Sequence, residues 1–119
     1  PALHAKYLQW LAEAKLAKKR AEFKQKTLLK QKWLWYNGKM SEEQIKILGW
    51  DFDPLEGLKI MKGEMEYYYD SDPEIQQSEE KIAYWKTLIE TLTEIVNNLN
   101  WRHQTIGNMI KWRSFEAGN

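Results

Sequence analysis

The chain has 119 residues, a formal net charge of +1, seven tryptophans, six tyrosines and no cysteine. That length bounds it to one domain or one elongated subunit of an assembly. The missing cysteines exclude disulfide frameworks, thiolate catalysis and cysteine-containing metal sites, and suit a reducing cytoplasm. No apolar run is long enough for a membrane span.

The small net charge hides an asymmetry. Residues 1–40 carry ten Lys/Arg against two acids, residues 41–80 three against twelve, and the remainder five against three. Either the first part is a basic ligand surface, or basic and acidic parts of neighbouring chains dock, or both. The tally of aromatic rings is high for a simple helical hairpin, which has little interior, so some rings must be buried between subunits or against a ligand.

In chain order, Leu3, Tyr7, Trp10, Ala14, Ala17, Ala21 and Leu28 recur at three- and four-residue spacings, a helical stripe with a heptad component. No Pro or Gly falls between Ala2 and Asn37, and a helix of about 35 residues, on the order of 50 Å, is expected. Ala14, Ala17 and Ala21 permit close approach of a partner helix. Within this helix the run from Lys15 to Gly38 holds Lys15, Lys18, Lys19, Arg20, Lys24, Lys26, Lys30 and Lys32, opposed by Glu22, and closes on Trp33, Trp35 and Tyr36. Cations for phosphates beside rings for unpaired bases are what a sequence-independent single-strand binder needs. The plain alternative is a solvated helix face followed by core aromatics.

Asn37-Gly38 is a helix stop, and Ser41 an N-cap for a short helix through Ile45, Ile47 and Leu48 to Gly49. Residues 50–58 read as loop, and EMEYYYD as either an extended segment or the tail of a helix. Asp72-Pro73 caps the next helix. There Ile75, Ile82, Trp85, Ile89, Leu92, Val96 and Leu99 follow a seven-residue repeat, and Leu88 and Ile95 widen the stripe into a bundle or subunit interface. The repeat continues through Ile106 and Ile110. The final segment is either the same helix, bent near Asn100 or Gly107, or a separate short one, with Trp101, Met109, Trp112 and Phe115 on its apolar face. The expected fold is all-α: a long antiparallel helical hairpin with a short intervening helix and a C-terminal helical oligomerisation segment.

Catalytic chemistry finds no footing. His4 and His103 lack a metal-binding context, Asp51/Asp53 and Asp70/Asp72 lack the ligand order of a calcium loop, no phosphate-binding glycine loop is present, and Ser41 has no recognisable base. Neither a catalytic residue, a metal nor a cofactor is expected. Lysine predominates over arginine in the basic run, which favours backbone attraction over base-edge readout and hence single-stranded over double-stranded nucleic acid.

The segments YLQWLAEAKLAKKRAEFKQK, LLKQKWLWYNG, Ile82-Ala83-Tyr84-Trp85 and MIKWRSFEAG occur in the order of similar segments in UvsY-type recombination mediators of T4-like bacteriophages, and the chain resembles that family over nearly its whole length. The resemblance implies a non-catalytic, ring-forming oligomer that binds single-stranded DNA, helps a RecA-like phage recombinase to replace single-strand-binding protein, and acts in the host cytoplasm during infection. Carried onto this sequence, the family's basic motif places cations at Lys30 and Lys32, with Trp33 in place of a leucine and Tyr36 and Gly38 in matching positions. Charge is kept at Lys32, without the forked geometry of arginine.

The DNA-binding candidates are thus Lys15, Lys18, Lys19, Lys26, Lys30, Lys32, Trp33, Trp35 and Tyr36, the rings serving either stacking or packing. The oligomerisation candidates are Trp85, Ile89, Leu92, Val96, Leu99, Ile106 and Ile110. Residues 1–119 are expected to form a single elongated helical domain that lacks family residues upstream of Pro1, with 41–73 as an acidic connecting region exposed to solvent or to the recombinase. A structural coiled-coil or phage assembly protein without direct DNA binding is the competing reading.

Overall fold

A computed structural model describes residues 2–117, with side chains for all of these except 103 and 111–117. Expectations attached to the side chains of His103, Trp112 and Phe115 lie outside the described side chains, and those attached to Pro1 outside the described residues. Four helices and no strand occur among them: α1 (Ala2–Tyr36), α2 (Glu42–Leu48), α3 (Met65–Ser71) and α4 (Pro73–Ala117). The fold is all-α, with α1 and α4 as the arms of a long helical hairpin and α2 and α3 in the connection.

The unbroken run of helix formers carries α1 for 35 residues. It ends where Gly38 turns left-handed at φ 67°. There the Lys39 amide donates to the Leu34 carbonyl at 2.8 Å and the Gly38 amide to Trp35 at 3.2 Å, which satisfies carbonyls that a helix end otherwise leaves open. Ser41 caps α2, its hydroxyl accepting from the Gln44 amide at 3.2 Å. Two short helices intervene rather than the single one expected, because EMEYYYD closes into α3. No break separates the C-terminal segment either: α4 runs through Asn100 and Gly107 for 45 residues.

The chain divides into two compact units. One comprises Pro1–Lys18 and Tyr84–Asn119, the other Lys19–Ala83. In the first, Leu11 and Ala14 of α1 bury themselves with Leu92 and Val96 of α4, and Tyr7, Trp85, Leu88 and Ile89 pack around them. Each fully buried leucine contributes about 1.5–3 kcal/mol. Trp85, Ile89, Leu92 and Val96, nominated for subunit contacts, therefore have intrachain partners. The same seam opens to solvent further along α4, where Leu99 is half-buried while Ile106 and Ile110 are 58% and 59% exposed.

The second unit is held by polar groups as much as by apolar ones. Ile75 and Asp72 are its most enclosed side chains, and Lys32 is 3% exposed. Asp72 stands at the N-cap of α4, its Oδ1 accepting from the amides of Glu74 at 3.0 Å and Ile75 at 3.1 Å. Its Oδ2 accepts from the Tyr36 hydroxyl at 2.6 Å and faces Lys32 Nζ at 3.1 Å. The Tyr69 hydroxyl donates to the Leu29 carbonyl at 3.3 Å, joining α3 to α1.

Candidate nucleic-acid interface

In the Lys19–Ala83 unit, α1 turns Ala21, Leu28 and Lys32 toward the protein. With 3.6 residues per turn, the opposite face is the row Lys19, Phe23, Lys26, Lys30 and Trp33, and all five are exposed. Residues three and four apart are neighbours on a helix. Accordingly, the ammonium groups of Lys19 and Lys26 lie 5.3 and 5.9 Å from the Phe23 ring centroid, and Lys39 lies 4.8 Å from that of Trp33. Cation–π pairs at exposed sites contribute about 0.5–1 kcal/mol, whereas stacking of a base on an aromatic side chain is worth about 1–3 kcal/mol. A base can therefore displace a lysine from such a ring and leave the cation free for the neighbouring phosphate.

Three of the nominated residues sit elsewhere. Lys32 is enclosed by Asp72, by Glu74 at 3.4 Å and by the rings of Trp35 and Trp50, whose centroids lie 4.5 and 3.9 Å from its Nζ. Trp35 donates from Nε1 to the Asp51 carbonyl at 2.8 Å and packs on Trp50 at 5.0 Å. Tyr36 packs on Tyr68 at 5.6 Å and donates to Asp72. The charge of Lys32 is engaged inside the protein, and both rings have intrachain contacts. Lys15 and Lys18 belong to the other unit, where Lys15 is exposed and Lys18 half-buried.

This inner cluster fixes protonation states. Burial alone would raise the Asp72 carboxyl, but the Tyr36 hydroxyl, the Ile75 amide and Lys32 together hold it below its ordinary value. Burial first, and then the bond to Asp72, push the Tyr36 hydroxyl far above the usual phenolic range, so it remains a donor at neutral pH. The basic first part and the acidic connecting region thus meet within one chain through Lys32 and Asp72.

Phe23 is not among the candidates that sequence reasoning selects, because it stands between Glu22 and Lys24 and outside the apolar seam. The signal that points to it is helical spacing: Lys19, Phe23, Lys26, Lys30 and Trp33 follow at intervals of four, three, four and three. Among the described residues no group of three or more His, Cys, Asp or Glu could hold a metal ion. No helix there is long and apolar enough to cross a membrane.

Fold and surface together define an all-α protein in which one exposed face of α1 combines cations and aromatic rings. Over residues 1–119 the chain matches the family described as "Recombination, repair and ssDNA binding protein UvsY", and it belongs to that family. No curated protein and no solved structure matched it.

Proposed function

We propose that this chain is an oligomeric, non-catalytic recombination mediator that binds single-stranded DNA and promotes loading of a RecA-like phage recombinase as single-strand-binding protein is displaced. The observation that carries the reading is the exposed row Lys19, Phe23, Lys26, Lys30 and Trp33 on α1, in a chain that matches its family from end to end. Lysines attract the backbone without reading sequence, and rings accept any base, as a mediator acting on arbitrary strands requires. Lys15 and Lys18 add charge on the same helix. Lys32, Trp35 and Tyr36 support the face from within.

Self-association is assigned to the part of α4 beyond Leu99, where Trp101, Ile106, Met109 and Ile110 are all more than half exposed. Repetition of the basic face around a cyclic oligomer turns modest contacts into a multivalent site. The host cytoplasm during infection is where such an activity would operate.

Filter binding of a single-stranded oligonucleotide across a salt series tests the reading. Tight binding at low salt should weaken with a log–log slope of about −0.7 per neutralised phosphate. Absent or salt-independent binding by the assembled protein would overturn it and favour a structural coiled-coil role.

A further inference from the structure

Beside Phe23, between α1 and α4 of the Lys19–Ala83 unit, runs an open groove of about 840 Å³. Phe23, Lys24 and Thr27 line it from α1, and Gln77, Ser78 and Lys81 from α4. Phe23 leaves 55% of its surface to solvent at the lip.

The geometry points to this groove as the seat of one unstacked base of a single-stranded nucleic acid, with Phe23 as the stacking platform. The inference rests on the single-strand-binding reading above and adds to it the place where a base sits. Three features converge on that occupant. The ring offers a face that any base can cover. Gln77 and Ser78 supply an amide and a hydroxyl, which can both donate to and accept from a base edge, while the Thr27 hydroxyl, which donates to the Phe23 carbonyl at 3.3 Å, offers an acceptor. Lys24 and Lys81 approach from opposite walls, placing a cation on each side of a strand that dips into the groove.

Charge argues for the same occupant. Glu74 is the acid that lines the groove, and its carboxylate already faces Lys32 at 3.4 Å. Glu79 and Glu80 are exposed on the same helix but do not line it. An apolar partner helix would cover the lysines without neutralising them, and an acidic peptide would leave the ring unused. A nucleotide satisfies both.

The test uses the full chain with Phe23→Leu, Phe23→Trp and the pair Lys24→Gln/Lys81→Gln, each titrated with labelled oligothymidylate and with an abasic strand of equal length. Phe23→Leu should weaken oligothymidylate binding roughly five- to 150-fold, the range expected for loss of one stacked base, and leave the abasic strand and the salt slope unchanged. Phe23→Trp should bind oligothymidylate at least as tightly as the parent. The lysine pair should instead flatten the salt slope by about 0.7 for each phosphate no longer neutralised. Equal oligothymidylate affinity for Phe23→Leu and the parent would overturn the base seat while single-strand binding stands. An equal loss on both strands would also overturn it, assigning Phe23 to the arrangement of the lysines. Failure of the parent to bind either strand at low salt would remove both readings together.

Discussion

At the scale of single residues, Asp72 has the most to hold. One oxygen accepts two amides at the start of α4 and the other accepts Tyr36 and faces Lys32, all at 2% exposure. Removing one partner of a buried pair leaves the other charge uncompensated, at about 3–5 kcal/mol. Asp72→Asn should accordingly lower the unfolding free energy by about that amount in urea titrations at neutral pH. The sign with pH follows from the lowered carboxyl. Its stabilisation is present above the ordinary carboxylate value near ~4 and is lost as pH falls through the folded-state value. Acid unfolding of the parent should therefore steepen below about pH 4, and the Asn variant should be flatter there. Lys30 and Lys32 are neighbours in the basic motif yet opposite in setting. Lys30→Gln should weaken single-strand binding and leave the melting temperature in place, whereas Lys32→Gln should lower the melting temperature.

At the scale of elements, the two long helices are legible in the sequence because good helix formers dominate both runs and two of their ends are marked: Asn37-Gly38 after α1 and Asp72-Pro73 before α4. A separate C-terminal helix, one of the two expectations, does not form: α4 continues through Asn100 and Gly107. Asn and Gly lower helix propensity by about 1 kcal/mol or less each, too little to interrupt 45 residues of continuous hydrogen bonding. EMEYYYD is ambiguous as sequence because tyrosines suit strands as well as helices. What decides it is the pairing of Tyr68 with Tyr36 and of Tyr69 with Leu29, residues more than thirty positions distant in the chain. The burial of Lys32 is illegible for the same reason, since its acidic partners lie forty or more positions away. In the other unit the α1–α4 seam makes its own prediction. Leu92→Ala should destabilise the protein by about 2–5 kcal/mol, read as a lower urea midpoint without loss of helix in the native baseline.

At the scale of the whole molecule, function depends on how many basic faces act together. Ile106 and Ile110 continue a repeat whose earlier members are covered within the chain, while they themselves are open. Ile106→Glu with Ile110→Glu should reduce the mass seen by light scattering and leave the circular dichroism of the helices intact. Single-strand affinity should then fall at least tenfold, because linked sites exceed separate ones by about 10² to 10⁴. An unchanged mass would place self-association on another surface.

Asp72 also bears on how the protein breathes. The first amides of a helix commonly lack acceptors within it and exchange with solvent early. Those of Glu74 and Ile75 are tied to an enclosed carboxylate that is itself fastened to the end of α1. In deuterium labelling this first turn should retain its protons as long as the interior of α4 does, and release them only when the far end of α1 lets go as well.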